Sequence, residues 1–231
     1  VEKSLAIYVN GEPLVSLACT PTHPEELALG FLFNEELIEG LDAIEAVDLC
    51  DQELRVDVWL HHDIDPPQLR TITSGCSGGV TFENTASLHY CVRSDLRVTP
   101  QQVTQLIEEF EQASALHRRA GGVHGAALVE GERILCLAED IGRHNALDKI
   151  AGICLRQRHS TKDCILLTSG RISSEMVNRA ARMGIPITIS RTSPTSLSVQ
   201  LAQEWGVTLI GYTRRRSFRV YTGAERVVAP K

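Results

Sequence analysis

No apolar run in the chain approaches the roughly 20 residues that a membrane-spanning helix needs, so membrane insertion is not expected. The opening residues, VEKSLAIYVNGE, lack the basic start and long apolar centre of a secretory signal. The seven cysteines form no close pair, which argues against a disulfide framework and for a reducing compartment, the cytoplasm. The net charge of -6 disfavours nucleic-acid binding across the whole surface. Neither a P-loop nor a GxGxxG fingerprint is present, so any nucleotide must be held by other means.

What is present is enough for real cores, with 231 residues of which 43% are hydrophobic. Two apolar runs around Asn10-Gly11 predict a hairpin, because that dipeptide suits a tight turn with positive φ. A helix is expected to start at Pro24 and stop at Gly40, followed by strands in IEAVDLC and ELRVDVWL. This gives a small α+β domain over residues 1–98, with a glycine-rich cysteine loop at 71–79. Thr99 and Pro100 open a long amphipathic helix running through Leu116. Beyond Gly121, apolar strands of four to six residues alternate with helices, which predicts an α/β domain of three layers over 99–231 around a largely parallel sheet. Ser193 before Pro194 reads as the cap of the helix that ends at Trp205.

Among the cysteines, Cys136 in RILCLA and Cys164 in KDCILL read as small apolar residues inside strands. Cys76 differs, since it sits in TITSGCSGG, too rich in glycine to continue a strand or helix. Backbone N–H groups in such a loop can stabilise the thiolate, the form that attacks other sulfurs. Cys76 is the candidate nucleophile. The pair His61-His62 beside Asp63 and Asp65 is a poor metal candidate, because adjacent strand residues face opposite ways.

Three loops are expected at the carboxyl ends of the second domain's strands, where open α/β sheets gather their ligands. They hold Asp140, Arg143, His144 and Asn145; then Ser169, Gly170, Arg171 and Ser173; then Arg191, Thr192 and Ser193. Each carries an arginine before a helix, which suits a phosphorylated ligand, although ordinary helix caps are built from the same groups. His144 reads as a structural histidine bonded to Asp140, with acid–base chemistry as the other reading. Near the end, Tyr212, Thr213, Arg214, Arg215, Arg216 and Ser217 follow a buried strand. Arginine forks there suit phosphate oxygens, and Tyr212 or Phe218 suits a flat heterocycle. A solvated loop is the plainer reading of such a run.

With TSGCSGG, AEDIGRHNALDKI, LTSGRISSEMV, SRTSPTSLSVQLA and GYTRRRSFRVYTG in this order, the chain resembles the FdhD family, the formate dehydrogenase accessory sulfurtransferases. The resemblance implies an enzyme, a sulfurtransferase that takes sulfur from a cysteine desulfurase as a persulfide on Cys76. It passes that sulfur to the molybdenum cofactor, Mo-bis-molybdopterin guanine dinucleotide, as bound substrate, for use by formate dehydrogenase. It also implies cofactor binding by Tyr212, Thr213, Arg214, Arg215, Arg216 and Ser217, with Arg143, His144, Ser169, Gly170 and Arg171 as further candidates. A homodimer and a second domain similar in fold to cytidine deaminases are implied as well. Of the deaminase zinc ligands only His144 has a counterpart here, so neither zinc nor deamination is expected. One departure is Gly79, where the family loop often carries a second cysteine; without it a persulfide cannot collapse to an internal disulfide in that loop. A non-enzymatic chaperone that holds the molybdenum cofactor for formate dehydrogenase is the competing reading.

Overall fold

The computed structural model describes residues 1–64, 71–72, 80–81 and 89–229. These belong to two compact units, Val1–Asn84 with Asp140–His159, and Thr85–Glu139 with Ser160–Lys231. No helix among the described residues is long and apolar enough to cross a membrane.

The first unit holds a four-stranded sheet in the order β2-β1-β4-β3. Strands β1 (Lys3–Val9) and β2 (Glu12–Cys19) form the expected hairpin, with Asn10 at φ 50 and Gly11 at φ 84. Strands β3 (Ile44–Cys50) and β4 (Arg55–Leu60) are antiparallel, whereas β1 and β4 run parallel with Ile7 opposite Val56. Strict alternation sends Leu5, Ile7, Val56 and Val58 inward, into one core with Leu27, Phe31 and Leu32 of α1 (Pro24–Asn34). Helix α1 ends six residues before Gly40, because the chain turns at Glu36, which sits at φ 60. A short antiparallel pair follows, β5 (Thr71–Ile72) against β6 (Val80–Thr81).

The expected second domain, 99–231, is divided between the units. Helix α4 (Arg143–Arg156) packs on α1 in the first. The reason lies in two glycines: a Cβ on Gly30 would collide with the Asp148 carbonyl, and one on Gly152 with that of Glu26. Bare backbone lets the helices touch, and Asn34 Nδ2 then donates to Asp148 Oδ1 at 2.7 Å. Arg156 adds ion pairs to Glu25 and Glu26, each at 3.0 Å.

The second unit is built on a six-stranded sheet in the order β12-β11-β10-β9-β7-β8. Its centre, β9 (Cys164–Thr168), β10 (Ile187–Ser190) and β11 (Thr208–Arg214), is parallel as expected. Antiparallel strands flank it, β12 (Ser217–Val220) on β11 and β7 (His124–Glu130) on β9, so the sheet is mixed. Two-residue turns at Gly131-Glu132, before β8 (Arg133–Asp140), and at Arg215-Arg216 are too short for a parallel crossover. Helix α2 (Pro100–Ala113) lays Val103, Leu106, Ile107 and Phe110 over Ile165, Leu167, Ile187, Ile189 and Ile210. Thr99 and Gln102 form its capping box.

The long helix expected through Leu116 breaks at Ser114, whose hydroxyl donates to the Phe110 carbonyl. A new helix, α3 (Ala115–Ala120), starts there because the Glu139 carboxylate accepts from the Leu116 and His117 N–H groups. Helices α5 (Ser174–Arg182) and α6 (Ser196–Trp205) pack together, and α6 also meets β11. Thr195, not Ser193, caps α6, accepting from the Ser198 N–H at 3.2 Å. The α/β class read from the sequence is the one observed.

Candidate functional site

The arginine run Arg214–Arg216 forms the tip of the β11–β12 hairpin, with Arg214 paired to Ser217 across the turn. All four of these side chains are exposed. The register slips by one residue between Gly211 and Arg214, a β-bulge that holds Tyr212 at φ 51. A tyrosine rarely adopts that conformation, and here the surroundings impose it. The Tyr212 N–H donates to the Thr192 carbonyl at 3.0 Å, and a Cβ on Gly211 would lie 2.8 Å from the same oxygen. The bulge aims the Tyr212 ring outward, 40% exposed, with the Arg219 guanidinium 5.3 Å from its centroid. Phe218, the other aromatic candidate, is packed against the α2 core, which leaves Tyr212 as the ring available for stacking. Thr213 is wholly buried, and its hydroxyl meets no hydrogen-bond partner among the described residues. It supports the hairpin from within.

Hydrogen bonds tie the neighbouring strand ends to this hairpin. Ser169 and Gly125 bond reciprocally: the Ser169 N–H donates to the Gly125 carbonyl, and the Gly125 N–H donates to Ser169 Oγ. Ser190 Oγ donates to the Gly170 carbonyl at 2.7 Å and accepts from the Thr192 N–H at 3.0 Å. Ser169 and Gly170 are therefore structural ties between strand ends, connected through Ser190 and Thr192 to Tyr212. Arg171 projects from the same end of the sheet and is exposed.

Arg143 and His144 lie in the first unit, at the start of α4, and both are buried. The hydrogen bonds of Asp140 come from the N–H groups of Thr20 and Gly142 and from the side chains of Asn145 and Lys149. The bond expected from His144 is not among them. Lys149 also donates to the Thr20 carbonyl and to Thr22 Oγ1, so the cluster fixes the loop between β2 and α1.

Cys76 lies outside the described residues. Burial, with the negative charge of Asp140 next, pushes the Cys19 thiol up to about 11. Burial, with Glu130 and Asp163 next, pushes Cys164 to the same value. Both are therefore held as inert thiols at neutral pH. Cys91, unremarked in the sequence, is exposed.

Two further features carry no signal in the sequence. Arg219, paired with Gly211 at the start of the bulge, backs the Tyr212 ring. Two arginines of this region meet carboxylates of α2, with Arg191 Nε 2.6 Å from Glu111 and Arg215 Nε 3.5 Å from Glu108. No local pattern signals pairings between residues so far apart in the chain. Together the hairpin and the Arg191 loop offer exposed guanidinium groups and one stacking ring. Such a surface can receive a phosphate-bearing heterocycle.

The profile of the FdhD/NarQ family matches residues 1–228. The chain is 38% identical over 232 residues to the "Sulfur carrier protein FdhD" of Bacillus subtilis (strain 168), covering 98% of this chain and 88% of that protein. The protein of the same description from Staphylococcus aureus (strain MRSA252) is 36% identical over 233 residues, with the same coverage. The crystal structure of a proposed formate dehydrogenase accessory protein from Desulfotalea psychrophila is similar with a TM-score of 0.85 and 31% identity, across 99% of this chain and 90% of that one.

Proposed function

The chain belongs to the FdhD/NarQ family, and from that premise we propose that it is a sulfur carrier acting as a sulfurtransferase through a persulfide on Cys76. The Cys76 thiolate attacks the outer sulfur of a persulfide on a cysteine desulfurase. A new S–S bond forms at Cys76 while the donor's S–S bond breaks and its cysteine leaves as a thiolate. The outer sulfur is then delivered to the molybdenum of Mo-bis-molybdopterin guanine dinucleotide, the substrate, for formate dehydrogenase: the Cys76 S–S bond breaks, Cys76 leaves as the thiolate, and a two-electron donor, the reduced metal or an external thiol, takes the transferred sulfur to the sulfide level. The protein works as a homodimer in the cytoplasm.

The observation that carries the reading is the β11–β12 hairpin. Its exposed arginine tip and the outward Tyr212 ring match a ligand that bears both phosphates and a planar base. Arg214, Arg215, Arg216 and Ser217 meet the phosphates, Tyr212 stacks on guanine, and Arg171 adds charge nearby. The inert state of Cys19 and Cys164 is consistent with sulfur being carried elsewhere.

The test is intact-protein mass spectrometry after incubation with a cysteine desulfurase and cysteine. The native chain is expected to gain one sulfur, about 32 Da, that reductant removes. Cys91→Ala keeps the gain and Cys76→Ala loses it. Loading that persists in Cys76→Ala would refute the assignment, and restored formate dehydrogenase activity in that variant would favour a cofactor chaperone.

A further inference from the structure

The two glutamates of α2 that meet the arginines are one helical turn apart, Glu108 on Arg215 and Glu111 on Arg191. Residues at that spacing lie on one side of a helix, about 5–6 Å apart at Cβ. The arginines come from different places, Arg191 from the loop after β10 and Arg215 from the tip of the β11–β12 hairpin. The bond from the Tyr212 N–H to Thr192 joins those two segments. The neighbouring face of α2 is anchored in the core by Val103, Leu106, Ile107 and Phe110, so the glutamates at its edge stand on a rigid support. All four charged side chains are partly or largely exposed, with Arg215 at 85% and Glu108 at 39%. Such pairs are weak in water and exchange readily for a stronger partner.

We infer that Glu108 and Glu111 are specificity-determining residues, an internal anion that occupies the arginine cradle and that an entering diphosphate displaces. This rests on the reading of the hairpin as the cofactor's phosphate site. A guanidinium bonds a phosphate in the same forked way as a carboxylate, but a phosphate brings more charge and more acceptor oxygens. A diphosphate can engage both arginines and release both glutamates at once. A monophosphate engages one and leaves the other paired to its carboxylate. The glutamates thus lower affinity for every anion, and most for the smaller ones, which sharpens selection for a pyrophosphate-bearing ligand.

The experiment is titration calorimetry on the full chain with guanosine diphosphate and guanosine monophosphate at low ionic strength. Three proteins are compared: native, Glu108→Gln with Glu111→Gln, and Arg191→Gln with Arg215→Gln. Glutamine keeps the helix propensity of α2. The glutamine pair on α2 is expected to bind the diphosphate roughly three- to twenty-fold more tightly than the native chain, with a smaller preference over the monophosphate. The arginine replacements are expected to bind it at least about ten-fold more weakly. If the arginine variant weakens but the glutamate variant binds no more tightly, the displaced-anion role is wrong and the phosphate site stands. If the arginine variant binds as the native chain does, or no protein binds the diphosphate, the phosphate site itself is wrong and the role of the glutamates falls with it.

Discussion

Asp140 Oδ2 lies 2.6 Å from Lys149 Nζ, and neither side chain is exposed to solvent. Two charges removed from water are tolerable only while each compensates the other and their remaining hydrogen bonds are made, as those to Thr20, Thr22, Gly142 and Asn145 are here. Lys149→Met leaves a buried carboxylate without its counter-charge and should lower the unfolding free energy by about 3–5 kcal/mol. Asp140→Asn together with Lys149→Met should cost less than the two single changes summed. Urea unfolding measures both, and additive losses would show that the pair is not coupled.

The contact of α1 with α4 depends on Gly30 and Gly152. Gly30→Ala forces the new methyl group into the Asp148 backbone, which cannot move without shifting a helix. A loss of about 3 kcal/mol or more is expected, at the upper end for overpacked cores. Gly40→Ala is the control, since a Cβ there meets nothing within 4 Å, and its effect should stay within about 0.5 kcal/mol. Equal effects of the two changes on thermal unfolding would count against the helix contact.

Cys19 and Cys164 keep their protons to about pH 11 in the folded chain, against about 9 for an unperturbed thiol. The folded state therefore holds protons that the unfolded state has already lost. That part of the stability is intact below about pH 9 and declines as the pH rises toward 11. Site-resolved alkylation of the native protein at pH 8 should spare both thiols and modify exposed Cys91. Labelling of Cys19 or Cys164 as fast as Cys91 would contradict their burial.

Tyr212→Ala removes the outward ring while keeping the arginines. Loss of one base–aromatic stack is expected to weaken guanosine diphosphate roughly ten-fold, with little change for inorganic pyrophosphate. Arg219→Gln, which removes the cation behind the ring, should give a smaller loss in the same direction. A loss shared equally by both ligands would mean that Tyr212 shapes the hairpin and does not stack.

The sequence made local features legible. Asn10-Gly11 specified its hairpin, Thr99 and Pro100 began α2, and the apolar runs of β9, β10 and β11 marked a parallel centre. Features that depend on partners distant in the chain were not legible. Ser114 ends α2 where helical periodicity continues, because the Glu139 carboxylate, from another element, begins the next helix. Gly30 and Gly152 read as unremarkable helix glycines until the two helices meet. In the candidate site, the exposed arginine turn was readable from composition and the preceding strand. The bulge at Tyr212 required the register against β12, and the roles of Glu108 and Glu111 required the helix to be laid beside the hairpin.

Because α4 belongs to the first unit, the chain leaves that unit and returns to it before completing the second. On the ribosome, which releases the N-terminus first, α1 emerges with its glycine face bare and must wait for α4 to be made. Meanwhile α2, β7 and β8 are already outside, lacking the strands β9, β10 and β11 that will fill their sheet. The first unit is therefore unfinished when the second begins, its sheet core made but α4 still missing from α1, while the second lacks its central strands. A truncation after residue 98 would consequently strand the first unit at that unfinished stage of its own synthesis.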